Sequence, residues 1–128
     1  MKKTKNIFVI IGGINLLLWG LFHLSFWLEP YWKEANEMLK SNEMWSNALH
    51  LLNIAVTVFL LAFGFIMLVY RKEILTSKLG RSILFSVALF WLARLVGELA
   101  FPGGSIALGI IFLLCVLIYL LPAIIYKK

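Results

Sequence analysis

The chain has 128 residues, 62% hydrophobic and only 14% charged, with a net charge of +6. Soluble domains run nearer ~45–50% apolar and ~25% charged, so this balance, with a mean hydropathy of +0.96, excludes an ordinary soluble domain and points to an integral membrane protein. The apolar runs are continuous rather than alternating, which excludes the strands of a membrane β-barrel.

Four runs reach the ~20 residues that a bilayer crossing needs, at 7–28, 47–70, 82–101 and 106–126. The first follows MKKTKN, a basic start like that of a signal peptide. A removable signal has an apolar core of only ~7–15 residues and a small-residue cleavage site. Here the core continues to Leu28 with no A-x-A-like ending, so it reads as a retained span. The outer loop, 29–46, follows. Tyr31, Trp32, Ala35, Met38 and Leu39 recur at helical spacing, and Glu34, Glu37 and Lys40 fall on other faces. That pattern predicts a short amphipathic helix at the outer interface. Pro30 suits its first turn, and Trp27, Trp32 and Trp45 fall at headgroup depth. Such a helix is either an anchor or a lid. Span two leads into an inner loop, 71–81, that is short, polar and basic. Spans three and four are joined by Pro102–Ser105, a tight turn that makes them antiparallel neighbours. The expected fold is all-α: a single four-helix transmembrane bundle over 1–128 with a short outer-side interfacial helix.

Charge sets the expected orientation. Nine basic residues flank one side of the spans: Lys2, Lys3, Lys5, Arg71, Lys72, Lys78, Arg81, Lys127 and Lys128. The other side has Lys33 and Lys40. The positive-inside rule then places both termini in the cytoplasm of a multi-pass cell-membrane protein. The basic clusters meet anionic headgroups, and the positive charge does not argue for nucleic acid. Cys115 is the one cysteine, so neither an intrachain disulfide nor a C-x-x-C redox pair exists. It reads as a small core residue. Gly13 and Gly20 share a face of span one, and Ala93 and Gly97 form a small-xxx-small pair on span three. Both suit close packing, within the chain or against a second copy or a larger membrane partner.

Polar residues inside the spans carry the functional question. The stretch WLARLVGELAF holds Arg94 and Glu98 one turn apart. A charge at the centre of a span costs ~2.5–3.5 kcal/mol, and the spacing predicts an ion pair between them. His23 in span one and His50 and Asn53 in span two fall at a similar depth on the outer side. Asn47, His50, Asn53 and Thr57 follow one stripe, and Asn15, Trp19 and His23 share a side of span one. These positions predict one outer-leaflet cluster of His23, His50, Asn53, Arg94 and Glu98, floored by Asn15 and Trp19. The plainer readings are interfacial histidines, an interhelical Asn53 bond and a snorkelling Arg94.

Several chemistries fit these residue types. Arg94 could grip an acidic headgroup while Glu98 and the histidines exchange protons, which suits a small amphiphilic or anionic ligand, bound or transported. His23 and His50 could hold haem b as a bis-histidine pair in an electron-transfer subunit. His23, His50 and Glu98 match a catalytic zinc ligand set, though no H-E-x-x-H motif supports it. Ser25 lacks the G-x-S-x-G setting of a hydrolase nucleophile. A structural or regulatory subunit docking its polar face on a larger partner is the remaining alternative. The residues leave open whether the chain is an enzyme and which cofactor, if any, it takes.

Overall fold

The computed structural model describes residues 2–26, 33, 37 and 43–125. Among these, every regular element is helical: α1 (Lys2–Ser25), α2 (Glu43–Val69), α3 (Arg71–Thr76), α4 (Lys78–Ala100) and α5 (Ile106–Ile124). All but α3 are long and apolar enough to cross a membrane, over Asn6–Ser25, Met44–Val69, Lys78–Ala100 and Ile106–Ile124. At ~1.5 Å per residue, even the shortest of these segments approaches the ~30 Å of a hydrocarbon core.

Helices α1, α2 and α4 start earlier than the apolar runs, while α5 starts with its run at Ile106. Helix propagation needs backbone hydrogen bonds and tolerant side chains, not hydropathy, so polar residues such as Lys2–Asn6 continue α1. The connection at 71–81 is itself helical for most of its length, forming α3 and the first turn of α4. Only Ser77 breaks the helix, in extended conformation (φ −106°, ψ 154°). Its hydroxyl accepts from the Gly80 amide at 2.9 Å, an N-cap that satisfies one unpaired donor of α4. Its own amide donates to the Glu73 carbonyl at 2.9 Å. Gly80 is required there, because a Cβ would run into the Ile74 backbone. The expected interfacial helix of the outer loop lies outside the described residues, except for Lys33 and Glu37, which are helical and exposed, and the residues from Glu43 onward, which begin α2.

The chain divides into two compact units, Met1–Gly12 with Met67–Lys128, and Gly13–Ile66. In the first, α4 and α5 pack antiparallel. Trp91 stacks on Phe112 with centroids 5.6 Å apart, and Gly109 sits against Leu95 and Leu99. The core of this unit includes Val9, Met67, Leu84, Val87, Phe112 and Tyr119. Tyr119, fully buried, donates its hydroxyl proton to the Gly12 carbonyl at 2.7 Å. A Cβ on Gly12 would fall 2.7 Å from the Tyr119 ring, so the missing side chain admits the tyrosine. Ala93 and Gly97 do not make a tight crossing among the described residues: Ala93 is exposed and a Cβ on Gly97 has ordinary room. The close-packing glycines of α5 and α1 do that work instead, since a leucine can fill the groove that a glycine leaves.

In the second unit, the part of α1 from Gly13 onward packs antiparallel against α2. Gly20 faces Leu60 and Leu61, and Gly64 faces Leu17 and the Gly13 carbonyl, with Cβ approaches of 2.6 to 3.4 Å. Small residues let two backbones approach closely where lipid supplies no hydrophobic driving force. Leu16 and Leu60 are fully buried between them.

Candidate functional site

The second unit contains the polar contact that matters most. His23 lies in the last turn of α1, whose final carbonyls have no intrahelical donor. Asn53 meets it from α2 with both ends of its amide. Asn53 Nδ2 donates to the His23 carbonyl at 3.2 Å, and Asn53 Oδ1 lies 2.7 Å from His23 Nδ1. The Ser25 hydroxyl caps a second carbonyl, that of Phe22, at 2.7 Å. Asn53 itself is buried, at 8% exposure, and Thr57 one turn below donates to its carbonyl at 2.7 Å.

The double contact fixes which atoms carry protons. A carbonyl oxygen only accepts, so the amide nitrogen must face the His23 backbone. The amide oxygen then faces the ring, and Nδ1 must carry the hydrogen it donates. In neutral His23 the remaining nitrogen, Nε2, is therefore an acceptor with an in-plane lone pair. The imidazole stands edge-on to Phe22 and Phe26, with centroids 6.2 and 5.5 Å away. Phe22 in turn meets Trp19 at 5.5 Å and Phe26 at 4.8 Å. Trp19, Phe22 and Phe26 thus form an aromatic shelf beside the histidine, and Phe22 is 49% exposed.

Along α2 the expected stripe grows more buried with depth: Asn47 is exposed, His50 half-buried, and Asn53 and Thr57 buried. Asn15 and Trp19 are half-buried on α1. Of the anticipated site residues in this unit, His23 and Asn53 are brought into direct contact, and His50 lies one turn from Asn53 on the same helix.

Arg94 and Glu98 do not form the anticipated ion pair. Each has a different partner in the first unit. Glu98 Oε1 accepts from the Ser105 amide at 2.7 Å. Ser105 is the N-cap of α5, and its hydroxyl accepts from the Leu108 amide at 3.5 Å. Glu98 thereby satisfies a donor at the helix start and places a negative charge where the helix dipole favours it. In a capping box a glutamate in the helix's own first turn does this; here it reaches across from α4. The turn makes this possible. Gly103 adopts φ +87°, which a side chain would strain, and Gly104 lies against the Glu98 backbone too closely for any Cβ. The Gly104 amide also donates to the Phe101 carbonyl at 3.4 Å. Arg94 places its guanidinium 5.2 Å from the centre of the Phe112 ring, a cation–π contact. The four-residue spacing predicted a pair because it cannot register acceptors and donors beyond the turn.

Ser105, Phe22, Phe26 and Tyr119 were not singled out from the sequence. A serine just before an apolar run is a recognisable N-cap signal; the two phenylalanines and the tyrosine are indistinguishable in sequence from other lipid-facing or core aromatics. Among the described residues, no group of three or more His, Cys, Asp or Glu side chains could hold a metal ion. The chain matches no family model, no curated protein and no solved structure.

Proposed function

We propose that this chain is a four-span membrane protein, with both termini cytoplasmic, that binds a small amphiphilic ligand on the outer side through His23. His50, Asn15 and Trp19 complete the surroundings of that site. Arg94 and Glu98 serve the α4–α5 hairpin rather than the ligand. The observation that carries this reading is the two-handed grip of Asn53 on His23. A buried amide that holds both the backbone and one ring nitrogen sets the direction of the other ring nitrogen, as outer partners do for ligand-binding histidines. The test is mass spectrometry of small molecules extracted from the purified protein. A species enriched with the wild type and lost from His23→Ala supports the reading. Identical extracts from the two proteins contradict it.

The same observation favours a second reading, a haem held through His23 Nε2 with His50 on the adjoining helix. A metal-bound histidine nearly always donates its other ring N–H to an acceptor, and Asn53 Oδ1 is placed to take it. Absorbance spectra before and after dithionite separate the two: a Soret band lost in His23→Ala or His50→Ala selects haem, and a featureless visible spectrum from haem-replete cells removes it.

A further inference from the structure

We propose that the ligand of His23 is an amphiphile with an aryl hydroxyl, such as a phenol or hydroquinone headgroup, whose O–H donates to His23 Nε2 while its ring lies against Phe22. This rests on the amphiphile reading above and names the chemistry of that site. Three observations carry it.

The first is the direction of the hydrogen bond. Asn53 takes the Nδ1 proton and is itself oriented by the His23 carbonyl, so neutral His23 offers Nε2 only as an acceptor. To the neutral ring, a carboxylate, a fully ionised phosphate or a quinone carbonyl presents acceptors alone and has no bond to make with that atom. A hydroxyl has one.

The second is that Nε2 has no hydrogen-bond partner among the described residues. The ring's other contacts are to Phe22 and Phe26. His23 is half-buried, so the atom is reachable. Polar groups left unpaired at membrane depth are costly, and a donor brought by a ligand removes that cost.

The third is the aromatic shelf. Trp19 and Phe26 each stand edge-on to Phe22, which is 49% exposed. Aromatic pairs at such distances gain beyond simple area burial, which favours an aryl hydroxyl over an aliphatic alcohol. An ammonium could also donate to Nε2, but it would carry a full charge into a helix end flanked by apolar rings, at the cost that intramembrane charges meet.

The test uses matched probes on the full-length protein in detergent micelles: a para-alkylphenol, its methyl ether, an alkyl hydroquinone and an alkylamine of equal chain length, titrated calorimetrically. The ether keeps the ring and loses only the donor. The expected result is that phenol and hydroquinone bind about tenfold or more tighter than the ether, a difference of ~1.4 kcal/mol, and tighter than the amine. That preference should shrink to within about twofold in His23→Phe. Because this variant also removes a partner of Asn53 and risks misfolding, a wild-type measurement accompanies it: the His23 Nε2 nitrogen resonance should move on adding phenol and stay in place with the ether. Saturable binding of phenol and ether with equal affinity, or a preference for the amine, overturns the aryl-hydroxyl assignment while leaving an amphiphile site in place. Absence of saturable binding by every probe overturns both.

Discussion

Replacing Glu98 and Arg94 singly and together separates a helix cap from an ion pair. Glu98→Ala removes a charge-assisted bond to the Ser105 amide at 2.7 Å, worth ~1.5–3 kcal/mol. It also removes a negative charge from the start of α5, worth ~0.3–1 kcal/mol. The sum is a destabilisation of about 2–4 kcal/mol. Glu98→Gln keeps an oxygen that accepts from the amide and loses only the charge, so it should retain roughly 1 kcal/mol of that interaction. Arg94→Met removes a cation–π contact worth about 0.5–1 kcal/mol at an exposed position and relieves the cost of a charge inside the span. These oppose each other, so the net effect should be small. Because the two residues have separate partners, the double variant should show a coupling within ~0.5 kcal/mol of additivity. Reversible unfolding in mixed micelles, with dodecyl sulfate titrated into maltoside and helicity followed by circular dichroism, gives all four numbers. A neutral Glu98→Ala would refute the capping account, and a coupling above ~1.5 kcal/mol would restore the ion pair.

Two further substitutions examine the packing. Gly80→Ala brings a Cβ against the Ile74 backbone, which cannot move aside as a flexible side chain can. The expected loss is ~1–3 kcal/mol in the same unfolding assay, and an unchanged midpoint would mean that the Ser77 break between α3 and α4 is not as tight as described. Tyr119→Phe leaves the Gly12 carbonyl without its hydroxyl donor at 2.7 Å and should cost ~0.5–1.5 kcal/mol; a gain in stability would mean that the ring's packing matters and the bond does not.

Four long apolar helices were legible in the sequence because hydropathy over a span-length window is a strong, local signal. Helix ends were less so. Ser77 separates α3 from α4 through a side-chain cap and a glycine approach to Ile74, and neither has a hydropathy signature, so a helical connection looked like a polar loop. The candidate site was legible in part. His23 and Asn53 stood out as polar residues at one depth on successive spans, but the contact is made in part to a backbone atom, the His23 carbonyl in the last turn of α1, which side-chain patterns do not register. Arg94 and Glu98 invited a pairing by spacing alone. The competing donor was a backbone amide seven residues away, brought back by Gly103 and Gly104, and pairwise side-chain rules do not count backbone amides. Tyr119 and Gly12 are 107 positions apart, a separation at which composition and periodicity say nothing.

The most direct measurement is the tautomer of His23. Long-range proton–nitrogen correlation spectra of protein labelled with nitrogen-15 histidine, assigned by loss of the signal in His23→Ala, report which ring nitrogen carries the hydrogen. The grip of Asn53 requires the Nδ1–H form in the wild type, with Nε2 as the bare acceptor, and a return toward the Nε2–H form in Asn53→Leu. A wild-type spectrum with the hydrogen on Nε2 would contradict the account, because the atom offered to the ligand would then be a donor and the shape of the site would have to be read the other way round.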